Sequence, residues 1–222
     1  MRHLLLCALA VLLLGLAPKS QPSAAVSLDP RQWLIHDGAW TPVTHPKPLT
    51  GMAGWYFDVP DASDSVNYVM VPYTTAMRPS QSVSFTAQIV VTSGTPVFNY
   101  RLEPGNTCEY PAHARAHFAR TAPTNRKAFE DEIYAPDNFR WWANPTAMVL
   151  EAGTATVTVP LDPAQWSDTN GTFGDVDPIG FAAALAAPGT IGLTFGGGCF
   201  FGHGVNVSGG TARFLLTSYT VQ

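Results

Sequence analysis

Short extended segments separated by turn residues recur along this chain, and they limit its fold more than any other feature. Between Ser82 and Thr92, apolar side chains stand at every second position. This two-residue period is that of a β-strand with one face turned to a core. Gly94-Thr95-Pro96 has the composition of a turn, and Val97 to Leu102 follows as a second extended segment. The two segments therefore predict a β-hairpin.

Further segments of the same kind follow at similar spacing. They are residues 55–59, 66–71, 112–120, 139–142, a pair between 147 and 161, 191–195 and 212–219. Residues 121–138 are polar and contain prolines, which predicts a long loop, and neither a repeat nor a linker divides residues 26–222. About ten strands of this length predict a single domain, an all-β, jelly-roll-like β-sandwich.

One segment has the features of a helix. Asp177 can cap its start, and Pro178 suits the first helical turn. The following residues are mostly Ala, Leu and Phe, and Pro188-Gly189 ends the pattern. We therefore expect one short helix near 178–187. Its predicted buried side consists of Phe181, Ala184 and Leu185.

The first 25 residues have the form of a secretory signal peptide. Arg2 precedes the apolar run Leu4–Leu16, which is too short to span a bilayer as a helix. Ser23 and Ala25 are small residues at the −3 and −1 positions of a cleavage site after Ala25. We expect a secreted or periplasmic mature protein, with an uncleaved anchor as the alternative. No later stretch of 18 apolar residues occurs, so we expect no membrane span in the mature chain.

Export leaves two cysteines, Cys108 and Cys199. In an oxidising compartment they can form one disulfide, and two separate buried thiols are the alternative. Neither cysteine belongs to a CxxC or CxxH pair, so the sequence does not favour a zinc site.

The charge balance excludes one large class of partners. Without residues 1–25 the chain has 10 basic and 16 acidic residues, a formal net charge of −6. Binding to nucleic-acid phosphates requires clustered Lys and Arg, so we expect no nucleic-acid partner. With 46% hydrophobic residues, the chain also has enough apolar surface to fold.

The second half of the chain resembles a known domain type. Val159 to Trp166 is an extended segment ending in Trp, and a polar, glycine-containing loop leads to the short helix at 181–185 and the strand Ile191–Phe195. This order is similar to the late portion of laminin IV-type domains and of related bacterial galactose-binding-like sandwiches, over about residues 147–220. The resemblance implies a jelly-roll fold and extracellular recognition, often of glycans. Residues 196–204 lie outside the pattern.

The segment Phe139-Arg140-Trp141-Trp142 is the strongest candidate for a binding site. Adjacent strand residues point to opposite faces, so we expect one Trp in the core and the other exposed, beside Tyr134. An exposed indole can stack on a sugar ring, while Arg140 donates hydrogen bonds to its hydroxyl or carboxylate groups. A pair of purely structural Trp residues is the alternative.

A second candidate is the row His113, Arg115 and His117 on one face of a predicted strand. The two His residues are about 13 Å apart on a strand, too far to share a metal ion. The row therefore predicts either a ligand-facing polar surface or an ordinary solvated strand face. We place it in the same ligand-binding surface as Trp141, Trp142, Arg140 and Tyr134.

Two other segments have candidate chemistry. Gly196 to Gly204 contains five glycines and an accessible His203, yet it lacks the phosphate-binding spacings. Glu130-Asp131-Glu132 predicts a solvated acidic loop or a set of calcium ligands. Apart from a structural calcium ion, we expect no cofactor.

These observations predict a secreted, non-catalytic carbohydrate-binding or extracellular recognition domain whose partner is a glycan or another extracellular ligand. A glycan-acting hydrolase or lyase is one alternative, in which Tyr134, Arg140 and the His-Arg-His row act on an acidic sugar. A structural envelope or matrix protein is the other.

Overall fold

The computed structural model describes residues 24–37, 42–100, 111–120, 137–198 and 201–222. Tyr134, Cys108, Cys199, most of the predicted signal peptide and the acidic run at 130–132 lie outside these ranges, so the expectations about them stay predictions. Within the described ranges, no helix has the length and apolar character needed to cross a membrane.

The described chain is mostly strand. The strands are β1 (Ala24–Ala25), β2 (Leu34–Asp37), β3 (Pro42–Thr44), β4 (Lys47–Pro48), β5 (Trp55–Asp58), β6 (Val66–Pro72), β7 (Ser82–Tyr100), β8 (His113–Arg120), β9 (Arg140–Ala143), β10 (Met148–Val149), β11 (Gly153–Pro160), β12 (Trp166–Ser167), β13 (Pro188–Gly196) and β14 (Val205–Val221). Three 3-10 turns lie at Pro30–Gln32, Asp137–Phe139 and Pro163–Gln165, and the α-helix α1 is Pro178–Ala186.

The strands form one continuous antiparallel sheet whose two halves face each other across the core. Its main order is β11-β7-β14-β6-β13-β8-β9-β12, with β2 added at β6 and β5 added at β14. Phe195 of β13 packs against Phe57 at 5.7 Å and Phe214 at 5.2 Å between ring centroids, although β13 pairs with neither β5 nor β14. The Tyr219 hydroxyl donates to the Gly192 carbonyl at 2.8 Å across the same gap. The all-β prediction and its sandwich character are confirmed.

The predicted hairpin at Gly94 is wrong. Strand β7 continues through this glycine to Tyr100, and both of its parts pair with β14. Gly94 lies opposite Gly210, and it has a φ of +63°, while Gly209 has a φ of +72°. A Cβ on Gly94 would lie 2.6 Å from the Gly209 carbonyl oxygen. The glycines therefore let two paired strands bend together, and the chain does not reverse.

The predicted helix is confirmed, with an end at Ala186. The Asp177 carboxylate accepts a hydrogen bond from the Gly180 N–H at 2.9 Å, which is the bond of an N-cap. Phe181, Ala184 and Leu185 are buried, as the pattern predicts. Asn138 also donates to the Asp177 carboxylate at 3.2 Å, which ties the helix start to the turn before β9.

Replacing Asp177 with alanine is expected to lower the free energy of unfolding by about 1 kcal/mol, because the N-cap bond is lost. Urea denaturation should show a lower midpoint with an unchanged slope. Asp175→Ala removes the same charge from an exposed neighbouring position and is the control. Equal midpoints for the two variants would contradict a role of Asp177 as a cap.

Candidate functional site

Strand β8 presents two different faces. Ala114, Ala116 and Phe118 point into the core and are fully buried. The alternating residues His113, Arg115 and His117 point to the opposite face, as the sequence predicts. That face is not solvated, since the three side chains are only 9%, 6% and 0% exposed. The expectation of an open polar row is therefore wrong, because aromatic side chains from other elements cover it.

Strand pairing places the row among specific neighbours. His117 lies between Gly192 of β13 on one side and Trp142 of β9 on the other. Arg115 lies opposite Thr194 of β13. The His117 ring is 5.0 Å from the Tyr68 ring and 5.6 Å from the Trp142 ring. We name this group the outer-face cluster, and its members are Tyr68, His113, Arg115, His117, Arg140, Trp142 and Phe201.

The two adjacent tryptophans separate as strand alternation requires, and both are buried. Trp141 points into the core, where it meets Phe181 at 5.0 Å between ring centroids. Trp142 points to the outer face but is only 4% exposed. The Arg140 guanidinium lies 5.6 Å from its ring, and the Phe201 ring lies 6.4 Å away. The prediction that one indole is solvent-exposed is wrong, because these side chains and His117 surround it.

The glycine-rich segment supplies part of this cover. Phe201 lies over Arg115, with the guanidinium carbon 4.2 Å from the ring centroid. Gly202 has a φ of +71°, and a Cβ there would overlap the Tyr68 hydroxyl. Its carbonyl accepts a hydrogen bond from the Asn67 side chain at 3.0 Å. The glycine thus permits the close approach of this segment to β6.

Sequence reasoning identified five members of the cluster and missed two. Tyr68 lies in a segment whose neighbours Val66, Val69 and Val71 all read as core, so nothing marks its side chain as part of a polar surface. Phe201 follows a run of glycines that predicts only turns. Of the predicted site residues, Trp141 lies on the other face of the sheet and Tyr134 lies outside the described ranges.

Among the described residues, several buried polar atoms of the cluster have no hydrogen-bond partner. They are His113 Nδ1, Arg115 Nε, both ring nitrogens of His117 and Trp142 Nε1. A buried polar group left without a partner costs about 1–3 kcal/mol, and most buried polar groups in proteins are paired. These five atoms on one face of one sheet are therefore hydrogen-bonding groups available to a ligand or to ordered water.

The positive charges of the cluster, on Arg115 and Arg140, lie without a described carboxylate partner. Arg115 Nη1 donates to the backbone carbonyls of Ala143, at 3.0 Å, and Asn144. In the part of the chain that the structure describes, no carboxylate forms an ion pair with Arg115 or Arg140. Burial lowers the pKa of Arg115 to about 10, so its guanidinium stays charged at neutral pH.

The two histidines of the row are neutral at pH 7. Burial, with a smaller effect of Arg115, lowers the pKa of His113 to about 4. Burial also lowers the pKa of His117 well below its ordinary value, and the charges of Arg140 and His36 act in the same direction. Each neutral imidazole offers one donor and one acceptor, and each can therefore bind a hydroxyl group.

This titration predicts a loss of stability in mild acid. The unfolded chain binds protons at these histidines below about pH 6.5, whereas folded His113 does so only near pH 4. Their contribution is complete above pH 6.5, and the free energy of unfolding should fall as the pH falls from 6.5 toward 4. Urea midpoints at pH 7.5 and 5.0 measure the difference.

The double variant His113→Gln/His117→Gln should show a smaller difference between the two pH values than the wild type. An unchanged pH dependence in the double variant would contradict neutral buried histidines in the folded state.

A cleft lies among residues 35–66, away from the outer-face cluster. It has a volume of about 240 Å³, and its lining includes His45, Lys47, Tyr56 and Asp58. Two of its charged groups pair with each other, since Asp58 accepts from Lys47 at 2.9 Å, and Asp58 also accepts from Arg213 at 2.6 Å. The outer-face cluster, with its unused polar atoms, is therefore the stronger candidate site.

Comparisons with known proteins identify no relative of this chain. No protein-family model, no curated protein and no solved structure matches the chain. Nor do the described ranges contain three His, Cys, Asp or Glu side chains placed to hold a metal ion. The geometry of the cluster itself must therefore support any assignment of function.

Proposed function

We propose that this protein is an exported, non-catalytic carbohydrate-binding domain of jelly-roll type, and that its ligand binds at the outer-face cluster. One observation carries the proposal: buried imidazole, indole and guanidinium groups with unused hydrogen-bonding capacity lie among aromatic rings on one sheet face. A protein with a purely structural role gains nothing from leaving these groups without partners.

Sugars match this combination of groups. Their hydroxyls both donate and accept hydrogen bonds, as neutral imidazoles do, and their apolar faces pack on aromatic rings. The indole N–H of Trp142 adds a donor. Arg140 and Phe201 are partly exposed, so they form a rim between solvent and the buried floor. The Phe201 ring lies over Arg115, so a ligand has to displace this ring to reach the floor.

A pair of matched substitutions tests the site. Trp142→Phe keeps an aromatic ring in place but removes the indole N–H, so glycan affinity should fall about tenfold for the loss of one hydrogen bond. Trp141→Phe is the same change on the core face, where Nε1 donates to the Asn138 carbonyl at 2.9 Å. It should lower stability and leave affinity unchanged. A glycan array identifies the ligand, and calorimetry measures both affinities.

The opposite results would overturn the assignment. A folded wild-type protein that binds no glycan on the array favours the structural alternative, to which the burial of both tryptophans also points. Tyr56→Ala examines the competing location: a loss of glycan binding in this variant, with normal binding by Trp142→Phe, would place the ligand in the cleft lined by Lys47 and Asp58.

A further inference from the structure

We infer that the outer-face cluster selects glycans that carry a carboxylate, that is, uronic-acid oligosaccharides, and that Arg115 is the residue that binds the carboxylate. The inference rests on the proposed function and specifies its ligand class. It begins from the charge of Arg115, which is buried and is compensated only by backbone carbonyl groups.

Two other arginines of the described chain pair with carboxylates at the surface. Arg31 pairs with Asp29 at 2.7 Å and Arg213 pairs with Asp58 at 2.6 Å, both at the surface. Arg115 is the buried arginine, and no described carboxylate forms an ion pair with it. A buried charge normally has a partner, because removing an ion from water costs several kcal/mol. A bound anion supplies that partner.

The groups around Arg115 are suited to an anion. Its Nε–H is unused, and the Trp142 Nε1–H is a second unused donor. His113 and His117 can each donate from a ring nitrogen when neutral. On the same face, Thr194 is neutral and Arg140 is cationic. These neighbours attract an anion or are neutral toward it.

The number of charges favours a singly charged group over a phosphate dianion, and the planar shape of a carboxylate suits the guanidinium better than a tetrahedral sulfate does. The floor has one permanent positive charge, which matches one negative charge. A planar carboxylate can accept from the guanidinium fork with one oxygen and from a neighbouring N–H with the other. A phosphate dianion on this floor keeps an uncompensated buried charge. A uronic acid joins such a carboxylate to the hydroxyls and ring face that the remaining groups bind.

The test compares trigalacturonate with its methyl ester, which keeps the sugar and removes the charge. Calorimetry on the exported protein should show that the acid binds about 100-fold more tightly than the ester. Arg115→Met should lose this preference, because it removes the charge that binds the carboxylate. Arg120→Met is the control, since Arg120 lies on the same strand and stacks on Phe139 at 5.1 Å. It should keep the preference.

The outcomes separate this inference from the proposed function. Equal affinity for acid and ester would overturn the choice of a carboxylate and leave a carbohydrate-binding domain in place. Binding to none of the glycans by folded protein would overturn the proposed function itself. Tighter binding of a sulfated trisaccharide than of trigalacturonate would also contradict the inference. Should Arg115→Met fail to fold, Arg115→Lys keeps the charge without the fork, and the acid–ester comparison on the wild type needs no variant.

Discussion

Replacing Trp141 with alanine is expected to lower the free energy of unfolding by about 3–5 kcal/mol, the usual cost of removing a large aromatic side chain from a core. Trp141 is fully buried, packs edge-on against Phe181 and uses its N–H on the Asn138 carbonyl. The substitution leaves a cavity under helix α1 and an unpaired carbonyl at the turn before β9. Urea denaturation at pH 7.5 measures the loss.

Ile179→Ala is the matched control for this change. Ile179 lies on the same helix as Phe181 but is 83% exposed, so its removal should cost less than about 0.5 kcal/mol. A small effect of Trp141→Ala, comparable with that of Ile179→Ala, would mean that Trp141 does not hold the helix to the sheet.

Gly192→Ala is expected to be nearly as damaging, at about 3 kcal/mol, through overpacking of two adjacent strands. A Cβ at Gly192 would overlap the Val69 carbonyl oxygen and lie 2.8 Å from the Met70 Cα, and both of these atoms belong to the backbone. Backbone in the middle of a sheet cannot move aside as the end of a side chain can. The strands β6 and β13 must therefore separate.

Gly171→Ala distinguishes this effect from the ordinary cost of replacing a glycine. Gly171 has a φ of +80°, but nothing lies within 4 Å of the added Cβ, so only backbone strain of about 1 kcal/mol is expected. Thermal denaturation of the two variants compares the costs. Because Gly192 lies directly opposite His117, Gly192→Ala should also weaken glycan binding, whereas Gly171→Ala should not.

The features that the sequence predicts well are those set by neighbouring residues. The alternation at 112–120 identifies the two faces of β8, and Asp177-Pro178 identifies the helix start. Exposure is different, because it depends on which remote residues cover a face. Phe201 covers Arg115, and no local pattern at 112–120 contains that information. The sequence therefore predicts the correct face for His113, Arg115 and His117 but not their burial.

The wrong hairpin at Gly94 has a related cause. A Gly-Thr-Pro sequence has strong turn propensity when it is considered alone. In the folded chain, Gly209 and Gly210 of β14 lie against it, and the ladder continues on both sides of the bend. Pairing over long strands outweighs a local preference of this size. The sequence suggests a shared bend only when Gly94 of β7 and Gly210 of β14 are known to lie opposite each other.

That shared bend also determines how the domain comes apart. Because β7 and β14 run through both halves of the sheet, neither half can open without breaking the ladder that holds the other. Unfolding should then be a single cooperative transition with no half-folded intermediate. If the proposed ligand binds at β8 and β9, it should therefore protect distant amides of β11 from hydrogen exchange as strongly as those of its own strands, wherever exchange requires global unfolding.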